Sequence, residues 1–226
     1  GDTHPVVGQL LANLGAAQRR LGDFAAARQS FERSIEAIAT LGPEHTALYG
    51  PLINLGNLDV VEGKPLDGIP RLERAVAVLE KARGADEPLL AEPLDALGGA
   101  LTAAGRHEEA ARTYGRAVGL LEPLFAEDLG VLDESYEPAL DILCDAYDAL
   151  DHWKKKQGFL LRVTDQATPT LKSAAWQRLS VMFIDEGDFE YAADGMAQAQ
   201  RHGPEHPGTA LLEITLLAAR HRDDHA

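Results

Sequence analysis

Apolar residues recur along this chain at the spacing of an amphipathic helix. In the first segment Leu10, Leu11, Leu14 and Leu21 lie at intervals of one, three and seven positions, with polar residues between them. This periodicity predicts a helix with one apolar face. The helix is predicted to end at Gly22, because glycine readily adopts the left-handed conformation found at helix ends.

A second apolar helix is predicted directly after Gly22. Its apolar positions recur every three or four residues, at Phe24, Ala27, Phe31, Ile35 and Ile38. Asp23 is placed to cap its first turn, and Gly42-Pro43 is placed to end it, since proline cannot continue a helix. Two helices joined by a two-residue turn form a helical hairpin.

The hairpin pattern repeats. Leu14-Gly15, Leu55-Gly56 and Leu97-Gly98 are separated by 41 and 42 residues, and Leu143-Cys144 and Leu179-Ser180 continue the series. Small residues after each leucine are expected where the two helices of a hairpin cross closely, with Ala27, Gly68, Ala110 and Ala192 opposite them. A repeat of this length predicts a stack of hairpins with an extended binding surface.

The last unit carries the fullest set of motif residues, which are Trp176, Leu179, Ser180, Phe183, Gly187, Ala192, Met196, Ala199 and Pro204. In these residues the sequence resembles the tetratricopeptide repeat (TPR), whose pattern is W-x2-L-G-x2-Y, then A-x3-F, then proline. The repeat length and linkers such as Gly42-Pro43-Glu44-His45 are similar to the longer kinesin-light-chain type. That type is also common in large bacterial regulatory proteins.

The pattern and the resemblance together predict one all-α domain, a right-handed solenoid of about five hairpins with a C-terminal helix. The predicted units are residues 5–41, 46–83, 88–125, 134–168 and 170–202, followed by a helix over residues 208–222. The fourth unit departs from the pattern, because Asp151 replaces the turn glycine and Lys156 replaces a small residue. Either its second helix starts in a shifted register or its hairpin is splayed.

The net charge indicates which kinds of partner the protein binds. A net charge of −15 argues against nucleic acid and anionic membrane surfaces, and it favours basic protein segments. The alternative is that the acidity only maintains solubility. No apolar run is long enough to insert into a membrane. The first residues resemble the later linkers, so we expect a piece of a larger protein, with an effector domain fused outside it. A cytoplasmic location is favoured, and a periplasmic one is the alternative if a signal segment has been removed.

No catalytic, metal or cofactor motif is present. His107-Glu108-Glu109 begins like a zinc protease motif, but Ala111 stands where the second histidine is required. Cys144, the single cysteine, is interpreted as a small buried residue at a helix crossing. The sequence therefore predicts a protein that is not an enzyme and that needs no cofactor.

The resemblance places the first helices of successive hairpins on the concave face. The residues implied there are Asn13, Arg19, Arg20, Asn54, Asn57, Glu92, Asp95, Asp141, Asp145, Asp148, Gln177 and Arg178. Asn13 and Asn54 directly precede a leucine-glycine pair, where similar repeats use asparagine to bond the backbone of an extended peptide. Asp141, Asp145 and Asp148 share one helical stripe, either as an acidic patch or as a neutral surface feature.

These observations predict a non-catalytic scaffold that binds a basic or extended polar protein segment on its concave face. The alternative is a regulatory or sensor segment of a larger bacterial enzyme, such as a kinase, a caspase-like protease or a transcription activator.

Overall fold

Ten α-helices follow one another through the part of the chain that the structure describes. This computed structural model describes residues 5–126, 129–132, 134–203 and 215. The helices are α1 (Pro5–Arg20), α2 (Phe24–Ala39), α3 (Tyr49–Val61), α4 (Pro65–Arg83), α5 (Ala91–Ala103), α6 (His107–Leu121), α7 (Glu137–Ala149), α8 (Trp153–Gln166), α9 (Pro169–Asp185) and α10 (Phe189–His202). Within these ranges there is no strand, and the predicted all-α class is confirmed. The helix predicted over residues 208–222 lies outside the described residues.

The chain forms two compact units, residues 1–121 and 122–226. The first unit holds three hairpins, α1–α2, α3–α4 and α5–α6, and the second holds α7–α8 and α9–α10. Single turns of 3-10 helix at Thr46–Leu48 and Pro88–Leu90 lead into α3 and α5. The longer linker before α7 contains three short 3-10 segments, Glu122–Phe125, Leu129–Val131 and Glu134–Tyr136.

The hairpin turns depend on a left-handed residue. Gly22, Gly63, Gly105 and Gly187 have φ between 73° and 81°. Asp151 occupies the corresponding turn of the fourth hairpin at φ 56°, and it is the one non-glycine residue with positive φ in the described ranges. Aspartate is among the few residues that tolerate this conformation. The fourth hairpin therefore keeps the same kind of turn despite its different sequence.

The glycine after each leucine lies directly beneath a large side chain of the second helix. A Cβ atom at these glycines would lie 2.6–2.7 Å from a neighbouring side-chain atom, in the pairs Gly15–Phe31, Gly56–Leu72 and Gly98–Tyr114. The small residues predicted on the second helices lie one turn before these large side chains. Of them, Gly68 contacts the backbone of α3, because a Cβ atom added at Gly68 would lie 2.7 Å from the Gly56 carbonyl oxygen. The glycines are thus required by the packing of the three hairpins of the first unit.

The second helix of one hairpin also packs on the first helix of the next. Ala27 and Phe31 of α2 form a buried cluster with Leu55 and Leu58 of α3. All four side chains are at most 3% exposed. Each hairpin of this unit therefore completes part of its core with side chains from its neighbour.

Candidate functional site

One stripe of the first helices lies largely outside the core of the first unit, although Ala16 within it packs against the buried cluster of α2 and α3. In α3, Leu52 and Leu55 are buried, whereas Asn54 and Asn57 lie about 100–160° around the helix from them and are half-buried. We call this surface the inner stripe. Using the repeat offsets, it consists of Gln9, Asn13, Ala16 and Arg20 on α1; Gly50, Asn54, Asn57 and Val61 on α3; and Glu92, Ala96, Gly99 and Ala103 on α5.

The two asparagines that precede leucine-glycine pairs present different polar atoms. Gln9 Nε2 donates to Asn13 Oδ1 over 3.4 Å, so the Asn13 amide nitrogen is left to donate elsewhere. Asn54 Nδ2 donates to the Gly50 carbonyl oxygen over 3.1 Å, which leaves the Asn54 amide oxygen able to accept. Both bonds are made within one helix. The pair therefore offers one donor and one acceptor, which are the two groups that a peptide backbone requires.

Small residues leave part of the inner stripe open. A Cβ atom added at Gly50 would have no side chain or neighbouring helix of the described residues within 4 Å. A Cβ atom added at Gly99 would have one such neighbour, Tyr114 Oη, at 3.7 Å. Ala96 occupies the position of Asn13 and Asn54 on α5, so the series of asparagines ends there. A bound segment could approach the backbone of α3 and α5 closely.

Arg19 and Asp95 lie beside the inner stripe. Arg19 lies about 100° around α1 from Arg20, towards the side that packs on α2. Its Nε is buried and has no hydrogen-bond partner in the part of the chain that the structure describes. Asp95 is half-buried at a helical position equivalent to the buried Ile53 of α3. Arg20 and Glu92 are the two charged residues of the expected set that lie on the stripe itself.

Glu92 is an acidic group in a partly desolvated place. Its side chain as a whole is exposed, but surrounding protein removes water from the carboxyl and raises its pKa above the usual range. Tyr49, at the start of α3, lies near it: burial raises the pKa of the Tyr49 hydroxyl, and the charge of Glu92 raises it further, whereas Arg83 lowers it. Tyr49 was not predicted from the sequence, where only its place at the start of a first helix could have indicated it.

In the second unit the three aspartates of α7 are exposed on one stripe, as the spacing predicts. Two of them have cationic partners. Asp141 contacts Arg178 of α9, and Asp148 Oδ2 lies 2.5 Å from Lys156 Nζ of α8. Asp145 has no ion-pair partner in the described ranges; burial raises the pKa of its carboxyl, as does the charge of Asp148, whereas Lys156 lowers it. The acidic surface of α7 is thus partly neutralised.

Gln177 and Arg178 are held by their own unit. Gln177 is buried, and its Nε2 donates to Ser173 Oγ over 3.4 Å. Arg178 Nη1 donates to the Ala174 carbonyl oxygen over 2.8 Å, and Arg178 Nη2 lies 4.0 Å from Glu137 Oε1 as well as contacting Asp141. Neither side chain is freely presented to a ligand in this arrangement.

A buried carboxylate network in the first unit was missed in the sequence analysis. Asp59 of α3 is 1% exposed, and its two oxygens lie 2.6 Å from Arg28 Nη2 of α2 and 2.5 Å from Arg71 Nη1 of α4. Arg28 also reaches Glu62 Oε2 at 3.1 Å. The sequence feature that could have indicated this network is Asp59 itself, because the first and third repeats have Gln18 and Leu101 at the equivalent positions. One carboxylate therefore joins three helices.

Few side chains in the described ranges could perform chemistry. No group of three or more metal-binding side chains comes together there. Cys144 is buried, and desolvation raises the pKa of its thiol to about 12, against the opposing charge of Lys156. A thiol with this pKa is a poor nucleophile at neutral pH. None of the described helices is both long and apolar enough to cross a bilayer.

Family models match two stretches of the sequence. Residues 8–40 and residues 45–122 each match a model of the tetratricopeptide repeat. A comparison with curated protein sequences finds no match.

Solved structures of repeat proteins share the fold. A Podosopora anserina protein of nearly identical kinesin-light-chain TPR-like repeats aligns with a TM-score of 0.65 at 19% identity, over 88% of this chain and 96% of its own. BtubC (BKLC) from P. vanneervenii aligns with a TM-score of 0.63 at 17% identity, over 90% and 84%. A thermophilic TPR protein of Thermus thermophilus aligns with a TM-score of 0.58 at 20% identity, over 94% and 98%.

Tetratricopeptide-repeat proteins bind proteins or peptides and are generally non-catalytic scaffolds. The helices of the described residues, the repeated leucine-glycine crossings and the matched models agree in one assignment. Residues 8–40 and 45–122 are tetratricopeptide repeats, and the chain has the fold of tetratricopeptide solenoids similar to those of kinesin light chains.

Proposed function

We propose that this chain is a non-catalytic scaffold that binds an extended, polar or basic segment of another protein along the inner stripe of its first unit. The observation that carries the proposal is the pair of asparagines. Within the described residues the Asn13 amide nitrogen and the Asn54 amide oxygen have no hydrogen-bond partner, and the two side chains stand at equivalent positions of neighbouring first helices. Gly50 beside them leaves room for a backbone to approach.

The charge of the proposed partner follows from the acidic residues. Glu92 lies on the inner stripe, and Asp95 lies next to it. A net charge of −15 favours a basic segment and disfavours nucleic acid. For the second unit by itself we propose Asp145 as the acidic contact for a basic segment, whereas Asp141, Asp148, Gln177 and Arg178 would first have to exchange their present partners. The role of a regulatory segment fused to a bacterial enzyme stays a prediction, since no described contact favours it.

The test is a binding titration with an extended peptide of alternating lysine and serine, measured by fluorescence anisotropy on the full chain. Replacing both asparagines, Asn13→Ala with Asn54→Ala, should weaken binding by about 1–3 kcal/mol, because backbone groups of the bound peptide lose their partners. Melting temperature should stay unchanged or rise slightly, since alanine is the better helix former.

The matched control is Gln29→Ala, which removes an exposed amide from α2, away from the inner stripe. It should leave affinity unchanged. The proposal fails if the control weakens binding as much as the double variant, or if the double variant loses stability but keeps its affinity.

A further inference from the structure

A second groove lies in the first unit, between α2 and α4, with α3 beneath it. Its volume is about 540 Å³. The floor is apolar, formed by Ile35, Leu52 and Leu55, and Leu66 and Pro70 of α4 form one wall. Leu52 and Leu55 lie about 100–160° around α3 from Asn54 and Asn57. This groove is therefore separate from the inner stripe, and its role does not depend on the function proposed above.

Unpaired carboxylates stand on both sides of the groove. Glu32 and Glu36 belong to α2, and Asp67 belongs to α4. None of the three has an ion-pair partner in the ranges that the structure describes. The groove also contains two arginines. Arg71 shares the Asp59 carboxylate with Arg28, and Arg74 Nη2 donates to the Pro43 carbonyl oxygen over 2.9 Å and keeps its charge. Three carboxylates and two guanidiniums line the groove, so the lining carries a net charge of −1, and its α2 wall, with Glu32 and Glu36, is acidic.

The groove is held in shape by the buried Asp59. Arg28 from α2 and Arg71 from α4 both bind this carboxylate of α3, so the two walls and the floor are fixed to one another. A groove that exists before binding spares a ligand the cost of ordering the site. The apolar floor therefore remains available to a side chain that enters between α2 and α4.

An exposed leucine distinguishes this hairpin from its neighbours. Leu66 is 68% exposed on the wall of the groove. The equivalent residues of the first and third repeats are Ala25 and Glu108. A large apolar side chain beside an apolar floor adds to the surface that a ligand could remove from water. The feature belongs to the second repeat and is not a general property of the repeat pattern.

We propose that the groove between α2 and α4 is a second docking surface, which takes an aliphatic side chain of a partner protein flanked on both sides by lysine or arginine. The aliphatic side chain packs on Leu52, Leu55 and Leu66. The flanking cations lie beside Glu32 and Glu36 on one side and Asp67 on the other. This arrangement places the aliphatic side chain on the apolar floor and each cation beside a carboxylate that has no ion-pair partner in the described residues.

The proposal is tested on the full chain with a labelled peptide that has one leucine between two pairs of lysines. The peptide should bind, and its binding should shift the methyl resonances of Ile35, Leu52 and Leu66. A version with serine in place of the leucine should bind at least about tenfold more weakly, since it loses its apolar contact. Glu32→Gln, Glu36→Gln and Asp67→Asn together should weaken binding of the leucine peptide by about tenfold, through three exposed ion pairs.

Two matched controls should leave the affinity unchanged. The first is Glu73→Gln, Asp86→Asn and Glu108→Gln together, which removes three exposed carboxylates of the same unit outside the groove. The second is Asn54→Ala, which alters the inner stripe and so separates this proposal from the first. Equal weakening by the two triple variants, equal binding of the serine peptide, or methyl shifts confined to the inner stripe would each overturn the proposal. Absence of binding by the leucine peptide at millimolar concentration would also overturn it.

Discussion

Two helices with the same repeat motif differ sharply in what they bury. Leu14 of α1 and Leu55 of α3 occupy equivalent positions, and each precedes a glycine that packs under its own second helix. Leu14 is 49% exposed, whereas Leu55 is 3% exposed. The difference comes from α2, whose Ala27 and Phe31 pack on α3. In the described residues no helix covers α1 in this way.

The comparison shows that the motif encodes two separate interfaces. The glycine position closes the hairpin and is equally packed in α1, α3 and α5. The leucine position packs on the second helix of the preceding hairpin, as Leu55 packs on α2, so the burial of the leucine depends on that helix. Val6 and Leu10 of α1, and Leu21 directly after it, are exposed together with Leu14, as expected where no helix of the described residues packs on them. Equivalent residues in a repeat protein can therefore contribute very different free energies.

The largest expected difference is between the two leucines. Leu55→Ala should lower the free energy of unfolding by about 2–5 kcal/mol, because it leaves a cavity between α2 and α3. Leu14→Ala should cost under about 1 kcal/mol, since half of its side chain is already in water. Urea titrations of the two variants measure both values. Equal losses would mean that α1 is covered in solution.

The buried Asp59 gives the next largest effect. Asp59→Ala should lower the free energy of unfolding by about 2–3 kcal/mol. This is less than for a fully buried pair, because Arg28 and Arg71 are 25% and 33% exposed and can turn towards water. Its counterpart on α1, Gln18, accepts a hydrogen bond from Ser30 Oγ over 2.7 Å, so Gln18→Ala should cost about 1 kcal/mol. A larger loss for Gln18→Ala in the same denaturant titrations would contradict the assigned network.

The smallest effect concerns Glu92, which stands on α5 where α1 and α3 have Gln9 and Gly50. Partial burial raises the pKa of its carboxyl in the folded protein above the unfolded value of about 4.3. The folded protein then binds more protons in the interval between the two pKa values. This group therefore makes stability fall as pH rises through that interval, and the cost remains at neutral pH.

Glu92→Gln should accordingly be slightly more stable than the wild type at pH 7, and the difference should vanish below the unfolded pKa. Thermal melts at several pH values measure this, with Glu108→Gln as the exposed control. A Glu92→Gln variant that is less stable at pH 7 would show that the carboxylate has a favourable partner.

The fold could be predicted from the sequence because the period repeats several times. Each leucine-glycine pair and each turn glycine predicts the same hairpin, so a local error is corrected by the next copy. At Asp151 the sequence indicates a departure from the pattern, and it does not predict that this residue adopts the positive φ of the turn glycines, which aspartate tolerates.

The candidate surface was less predictable because its properties depend on pairs of helices. The spacing of the α7 aspartates correctly places them on one stripe, but it does not show that Arg178 and Lys156 reach Asp141 and Asp148. The position of Arg19 beside the inner stripe depends on the rotation of α1 about its axis. The groove between α2 and α4 arises from contacts between separate repeats, which no single motif records.

The buried Cys144 is a chemical probe of local opening in the fourth hairpin. It is the single thiol of the chain, it lies on α7, and desolvation raises its pKa to about 12. A thiol-specific reagent can therefore modify it only when α7 and its neighbours separate far enough to admit water. The rate of modification at neutral pH gives the free energy of that local opening without any added label. A ligand that binds the second unit would slow the reaction in proportion to the opening that it suppresses.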